Sequence, residues 1–207
     1  MTPPLLAERL SKYETATLHE SGAGVVLSSQ IRRLSDGGRL AGRTLTVLCH
    51  PRDNLMIHVA VARAQRGDVL VVQTHDEDYG VWGEVLTVAA QAKGVAGLVL
   101  DGSVRDLASI QRHGFPVFAR GVALRGTGKS GIGTVGEMIS CGGQPVRSGD
   151  YIVADESGIV VIPPDDVESI LARAEERTRI EAQMMQELRT GRTTLELLGL
   201  RGRFDHG

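Results

Sequence analysis

The chain has 207 residues, 23 basic and 25 acidic side chains and 42% hydrophobic residues, a balance that fits one folded domain with its own core. Its formal net charge of -2 gives no electrostatic reason to expect nucleic acid, and no apolar run approaches the roughly 20 residues of a membrane helix. Two cysteines, Cys49 and Cys141, are too few for a disulfide framework or a cysteine-rich zinc site, and the start MTPPLLAERLSKYE lacks the apolar core of a secretory leader. A reducing cytoplasm is the expected setting, and both cysteines are expected to be buried and inert. Glycine is abundant, at 26 residues, so many backbone positions are expected at tight turns or against a ligand. Lysine is scarce: Lys12, Lys93 and Lys129 are the three candidates for any lysine-dependent chemistry.

Residues 4 to 21 are predicted to form one or two short helices before Gly22 and Gly24. LAGRTLTVLCHP (40–51) alternates and is β-branched, so it predicts a strand closed by Pro51. Asp53 is placed to cap a helix carrying Leu55, Val59, Ala62 and Ala64, which stops at Gly67. GDVLVVQT (67–74) predicts a buried strand. Gly83 to Lys93 predicts a helix with Gly94 just past its end. VAGLVL (95–100) predicts a strand, Asp106 to His113 a helix, and PVFAR (116–120) another strand.

From 121 to 163 the helical period disappears. TVGEMIS, QPV, DYIVAD and GIVVIP predict short antiparallel strands, with turns at Gly149-Asp150 and Ser157-Gly158. After Pro163-Pro164, Asp165 and Asp166 open a long helix striped by Val167, Ile170, Leu171, Ala174 and Ile180. Thr190-Gly191 breaks it, and a short helix near 193–199 precedes a polar tail. The whole chain, 1–207, is expected to be a single α/β domain of mixed or stacked sheets, with 165–207 a C-terminal helical extension. Because the last helix loses its apolar stripe after Ala174, it is expected to pack on a neighbouring subunit.

Two phosphate-binding strings fail on context. Gly126-x-Gly128-x-x-Gly131 matches a dinucleotide fingerprint, but the residues that follow, IGTVGEMISCGG, show no helical pattern. Gly128-Lys129-Ser130 lacks the earlier glycine of a P-loop, since Ala123 stands there. A free glycine-rich loop is the better reading. His75, Asp76, Glu77 and Asp78 read as a solvated loop at a pocket mouth rather than a metal site. His50, His58 and His113 read as structural histidines.

The polar information concentrates at two strand-to-helix junctions. Trp82-Gly83-Glu84-Val85-Leu86 opens a helix whose first N–H groups suit a carboxylate. Leu100-Asp101-Gly102-Ser103-Val104-Arg105-Asp106 follows a buried strand, and parallel strands would put both junctions on one side of the sheet. Glu84, Asp101 and Asp106 are hard oxygen ligands suited to Mg²⁺ or Mn²⁺. Arg105 offers a planar fork for a carboxylate or enolate. The plainer reading of the second junction is an exposed Arg-Asp pair with Asp106 as a helix-end charge.

GLVLDGSVRDLASI, WGEVL, FPVFARG, RGTGKSG, NLMIHVAVARAQRGDVLVV and GDYIVADESGIVVIP together resemble the class II 4-hydroxy-4-methyl-2-oxoglutarate / 4-carboxy-4-hydroxy-2-oxoadipate aldolase family, which includes the RraA-like regulators of ribonuclease activity. The resemblance runs over about residues 15 to 200. It implies stacked mixed sheets flanked by helices, of the swivelling β/β/α type, assembled as a homotrimer or homohexamer. It implies that Asp106 ligates a divalent metal directly, Mg²⁺ or Mn²⁺, and that Arg105 holds the keto acid and steadies its enolate. The turn from Gly83 to Leu86, chiefly the amides of Val85 and Leu86, would receive the pyruvate carboxylate. Glu84 would reach the metal through water, and so would Glu181, contributed by a neighbouring subunit. Where many members carry an acidic residue three positions after the motif aspartate, Ser109 stands here.

The chemistry implied is retro-aldol cleavage of a 4-hydroxy-2-oxo acid to pyruvate and a second oxo acid. It needs either a lysine imine or a Lewis acid. None of the three lysines falls on a buried strand, so the metal route is favoured, with Glu84 or Glu181 taking the C4 hydroxyl proton through a water. Oxaloacetate decarboxylation passes through the same enolate and is an expected side activity. The rival reading is a non-catalytic RraA-like regulator that binds an RNA-processing enzyme. The long last helix and the intact Glu84, Arg105 and Asp106 favour the enzyme. No methyltransferase nucleoside loop follows a first strand.

Overall fold

A computed structural model describes residues 3–35, 38–74 and 77–200. The elements run α1 (Pro3–Leu10), α2 (Thr15–Glu20), β1 (Val25–Val26), β2 (Arg32–Arg33), β3 (Leu40–Leu48), α3 (Leu55–Arg63), β4 (Asp68–Gln73), β5 (Gly80–Trp82), α4 (Glu84–Lys93), β6 (Gly97–Val104) and α5 (Leu107–Arg112). They continue with β7 (Val117–Val122), β8 (Thr134–Val135), β9 (Ile139–Cys141), β10 (Gln144–Val146), β11 (Tyr151–Ala154), β12 (Ile159–Ile162), α6 (Val167–Arg189) and α7 (Thr194–Leu197). The predicted strand and helix sequence is therefore present. β1, β2 and β5, of two or three residues each, are additions with no period to betray them.

β3, β4, β6 and β7 lie side by side in chain order and are parallel, as strand–helix–strand units require. β4 and β6 are near-continuous apolar runs because both of their faces are covered. One face packs against the helices: Ile57, Ala60, Leu86, Ala90 and Ile110 meet Leu70, Leu98 and Leu100. On the other face Val69, Val71, Val99 and Phe118 meet Ile139, Cys141, Val146, Ile152 and Val161, so a second β layer is stacked on the first. That layer is reached without a break in hydrogen bonding, through antiparallel β3–β11 and β11–β12, with β9–β10 as a separate hairpin.

β11 and β12 show period-two alternation at work. Ile152, Ala154, Ile159 and Val161 face the inner layer. Tyr151, Val153, Val160 and Ile162 face outward onto Leu10, Leu18, Ile170 and Leu171 of α1, α2 and α6. The order of layers is helix, sheet, sheet, helix. The packed turns of α6 end at Ala174. Beyond it the helix runs on to Arg189 with Ile180 and Met185 exposed. Asp155 ties the outer layer together: it accepts from the hydroxyl and N–H of Thr15, at 2.6 and 2.9 Å, and so fixes the start of α2.

Candidate active site

The short strand β5 brings the two junctions together. It pairs in parallel with the end of β6, Gly80 opposite Ser103 and Trp82 opposite Val104. The Arg105 N–H then donates to the Trp82 carbonyl at 2.7 Å, which sets Arg105-Asp106 directly beside Gly83-Glu84. Trp82 is fully buried, stacked on Phe115, and its indole N–H donates to Thr87 at 2.8 Å. The junctions are thus held from below by a rigid aromatic pair.

Asp106 begins α5 in a left-handed conformation, φ 54°, that a non-glycine residue adopts at a cost of about 1–3 kcal/mol. It does not cap its own helix. Its Oδ2 instead accepts the N–H of Glu84 at 3.2 Å, at the mouth of α4, and lies 3.7 Å from Arg105 Nε. This separates the site from a plain helix-end charge: the carboxylate is turned across to the other junction. Gly83 is extended, so its glycine is explained by space. A Cβ there would collide with the Asp106 carboxylate and stand 3.2 Å from Arg105 Cγ.

A pocket of about 210 Å³ opens here, lined by Gly83, Val85, Leu86, Arg105 and Asp106. Arg105 and Asp106 are half-exposed within it, at 48% and 44%. The N–H groups of Val85 and Leu86 make no hydrogen bond among the described residues and lie in the first turn of the ten-residue α4. The other wall is Asn54 and His58 of the α3 segment, with Thr127 and Lys129 on the loop above.

The glycine string 126–131 forms that loop, and it is strapped down rather than free. Asp53 accepts from Ser130 N–H at 2.7 Å and from Leu55 N–H at 2.8 Å, so one carboxylate anchors both the loop and the start of α3. A Cβ on Gly128 would stand 2.8 Å from Asp53 Oδ2, and one on Gly126 would stand 3.2 Å from Arg105 Nη1. The glycines permit close approach to protein rather than to a nucleotide. Burial alone would raise the Asp53 carboxyl, but the N–H groups of Leu55, Gly131 and Ser130 outweigh it and hold it below its ordinary value.

Gly83, Val85, Leu86, Arg105 and Asp106 are therefore brought to one pocket. The Glu84 backbone belongs to it, but the Glu84 carboxylate turns to His113, Oε1 to Nε2 3.1 Å. That hydrogen bond, helped by Ser109 and Arg112, lowers the Glu84 carboxyl from its usual range. Asp101 is spent structurally, on Arg120 and on the Gly142 N–H. Glu181 lies on α6, 2.8 Å from Arg177, beside a separate groove lined by Ile180 and Met184. His75 and Asp76 lie outside the described residues, while Glu77 pairs with Arg120 and Asp78 with Arg125. Cys49 and Cys141 are buried; burial, with Asp53 adding to it, pushes the Cys49 thiol up to about 12.

His58, read from sequence as a structural histidine, lines the pocket, and Lys129, read as lying in a glycine-rich loop, is in that loop at the pocket rim. The signal for His58 was its spacing from Asn54, four residues, which sets a first-turn helical residue above the residue that opens α3.

The fold is a four-layer α/β stack, with a small pocket at which an arginine–aspartate pair meets a helix mouth. The chain belongs to the RraA-like family: the profile described as Aldolase/RraA matches residues 14–161. A Halalkalibacterium halodurans protein named "Putative 4-hydroxy-4-methyl-2-oxoglutarate aldolase" is 36% identical over 152 residues, 73% of this chain and 72% of that one. Streptomyces coelicolor RraAS2, titled an unusual member of the RNase ES inhibitor RraA protein family, superposes with a TM-score of 0.78. It is 28% identical, with coverage of 87% of this chain and 96% of that one. The RNA-processing inhibitor RraA of the Thermus source gives a TM-score of 0.67 at 25% identity, with coverage of 72% of this chain and 92% of that one. Since RraAS2 aligns over most of this chain, length alone does not separate the enzyme from the regulator.

Proposed function

We propose that the protein is a divalent-metal-dependent lyase that cleaves a 4-hydroxy-2-oxo di- or tricarboxylic acid, of the 4-hydroxy-4-methyl-2-oxoglutarate or 4-carboxy-4-hydroxy-2-oxoadipate type, to pyruvate and a second oxo acid. The observation that carries this reading is the convergence of Asp106, Arg105 and two unengaged helix N–H groups on one small pocket. A surface built to dock a protein has no need to hold an aspartate in a left-handed backbone and turn it across to a neighbouring helix.

The donor set fits a hard cation. Asp106 Oδ2 is engaged by Glu84 N–H, while Oδ1 accepts no hydrogen bond among the described residues. A single hard carboxylate with a free oxygen suits Mg²⁺ or Mn²⁺, held by one or two carboxylates together with water and substrate, better than zinc. When bound, such a cation supplies Lewis acidity at the 2-oxo group.

The chain's own residues do the rest. The Val85 and Leu86 amides receive the substrate C1 carboxylate at the positive end of α4. Arg105 lines the pocket, with its guanidinium close to Gly126, placed to stabilise charge that develops on the enolate oxygen as the C3–C4 bond breaks. Lys129 is exposed at the rim, whereas imine-forming lysines are desolvated. The same enolate arises from oxaloacetate, so decarboxylation accompanies cleavage. The reading includes a trimer or hexamer in which α6 of one copy brings Glu181 toward a second copy's pocket. In its support, Val85 at the pocket and Leu124 are 78% and 92% exposed. An active monomer in analytical ultracentrifugation would remove Glu181 from the site.

The test is a coupled assay for pyruvate release with these hydroxy acids and with oxaloacetate, in Mg²⁺ and in EDTA. Release that is lost in EDTA and restored by Mg²⁺ or Mn²⁺ is expected. Release that survives EDTA and is trapped by borohydride on Lys129 would replace the metal route with an imine. Absence of any release, with binding to an RNA-processing enzyme instead, would establish the regulator reading.

A further inference from the structure

The α3 wall of the pocket holds two buried polar atoms with no partner among the described residues. Asn54 is 7% exposed, and its Nδ2 donates to the Val81 carbonyl at 2.8 Å, which fixes the amide and leaves Oδ1 as an unsatisfied acceptor. One turn on, His58 Nε2 is enclosed and likewise makes no hydrogen bond among the described residues. Each such atom costs about 1–3 kcal/mol if it stays unmet. Both are acceptors when the ring carries its proton on Nδ1, and both residues line the same pocket as Arg105 and Asp106, so they are a built subsite for a donor group. A hydroxyl is that group.

Charge is consistent with the same role. Burial is the largest influence on His58 and lowers its pKa from the ordinary imidazole value; Lys129 adds to this, and Asp53 opposes it. Burial thus favours the neutral ring, whose Nε2 can present a lone pair. Glu84, the carboxylate closest in sequence to the amide turn, is occupied by His113. His58 and Lys129 are the titratable side chains that line the pocket with Arg105 and Asp106, and of the two His58 is the less exposed.

We infer that Asn54 and His58 form the subsite for the C4 hydroxyl of the substrate, and that His58 Nε2 accepts the hydroxyl proton as the C3–C4 bond breaks. This rests on the lyase reading above. The step balances: the C4–O–H proton moves to Nε2, C4 becomes a carbonyl, and the C3–C4 pair becomes the enolate of pyruvate. The imidazolium then returns its proton to C3, which releases pyruvate and restores the neutral ring. In the ground state the single hydroxyl proton is shared between Asn54 Oδ1 and His58 Nε2, and it passes to Nε2 as the bond breaks.

Oxaloacetate has no C4 hydroxyl, so the two reactions of one pocket separate the roles. His58→Gln and His58→Ala are assayed in Mg²⁺ with 4-hydroxy-4-methyl-2-oxoglutarate and with oxaloacetate, in the same samples. The hydroxy-acid kcat is expected to fall about 10²–10³-fold, within the range for loss of a general base, while decarboxylation falls less than about tenfold. Added imidazole is expected to restore part of the cleavage rate of His58→Ala. Decarboxylation in the same tube reports that the pocket has formed, so a misfolded variant is recognised and the other variant decides. Equal losses in both reactions from folded variants, or no loss in cleavage, would overturn the subsite alone. No pyruvate from the wild-type chain with either substrate would overturn the lyase reading and the subsite with it.

Discussion

The end of the sheet where β5 and β6 run out and the layer formed by β11 and β12 are built on opposite terms. In the layer, every side chain of both strands is buried and apolar, and its two faces are divided cleanly between two cores. At the junctions, Asp106 is in a left-handed backbone, Arg105 is half-exposed, two helix amides are open, and Asn54 and His58 hold buried polar atoms unmet. The first region lowers the free energy of the fold. The second raises it, and its cost is offset by the packing of Trp82 on Phe115 beneath it and the strapping of the loop above it by Asp53. Substitutions in the two regions should therefore separate activity from stability.

The largest expected effect is at Asp106. Asp106→Asn keeps a residue that tolerates the left-handed backbone but loses the charge, and kcat should fall by more than about 10³-fold with little change in Tm. Arg105→Lys keeps the charge and loses the fork, and kcat should fall about 10²–10³-fold, roughly 3–4 kcal/mol, with a smaller change in KM. A rise in KM alone would make Arg105 a simple anchor. Gly83→Ala displaces the Asp106 carboxylate, so kcat/KM should drop about 100-fold, the scale expected when a reacting group moves by an ångström.

In the stacked layer the order of effects reverses. Asp155→Asn leaves the Thr15 donors with a poorer acceptor and should cost about 1–3 kcal/mol in urea unfolding without altering KM. Burial works to raise the Asp155 carboxyl, but the Thr15 hydroxyl and N–H, the Ser157 N–H and Arg39 outweigh it and lower the folded value. Its contribution is then complete above the unfolded carboxyl pKa near ~3.9 and is lost as pH falls through the lower folded value. Asp155→Asn should flatten that acid limb. The smallest effect is Ile152→Val, about 0.5–1.5 kcal/mol in stability and none in turnover.

The same contrast sets what could be read from the sequence. β3, β4, β6, β7, β11 and β12 were legible because burial imposes a run or an alternation of apolar residues on each of them. Gly94 marked the end of α4 because its φ of 75° favours glycine. β5 carries no period in three residues, yet it is what sets Gly83 beside Arg105. Gly83, Arg105 and Asp106 were legible as residue types at two junctions, and their convergence followed from the parallel order. The α3 wall was not, because Asn54 and His58 meet the junctions only through the stacking of α3 on the sheet. Lys129 was set aside by its place in a glycine-rich loop, and the loop's fastening to Asp53 is what carries it to the rim. Glu84 was read as facing a metal; its carboxylate lies against His113, a contact between α4 and the end of α5 that no local pattern announces.

The central claim is a division of labour within two consecutive residues: Asp106 holds the cation and Arg105 handles the enolate. It is tested most directly by Mn²⁺ binding, followed by electron paramagnetic resonance, to the full chain and to the Asp106→Asn and Arg105→Lys variants, with pyruvate present and absent. The expected result is that Arg105→Lys binds Mn²⁺ within about threefold of the wild-type affinity, while Asp106→Asn loses at least tenfold, the scale on which metal sites respond to loss of a supporting group. Wild-type affinity in Asp106→Asn, or equal loss in both variants, would contradict the claim.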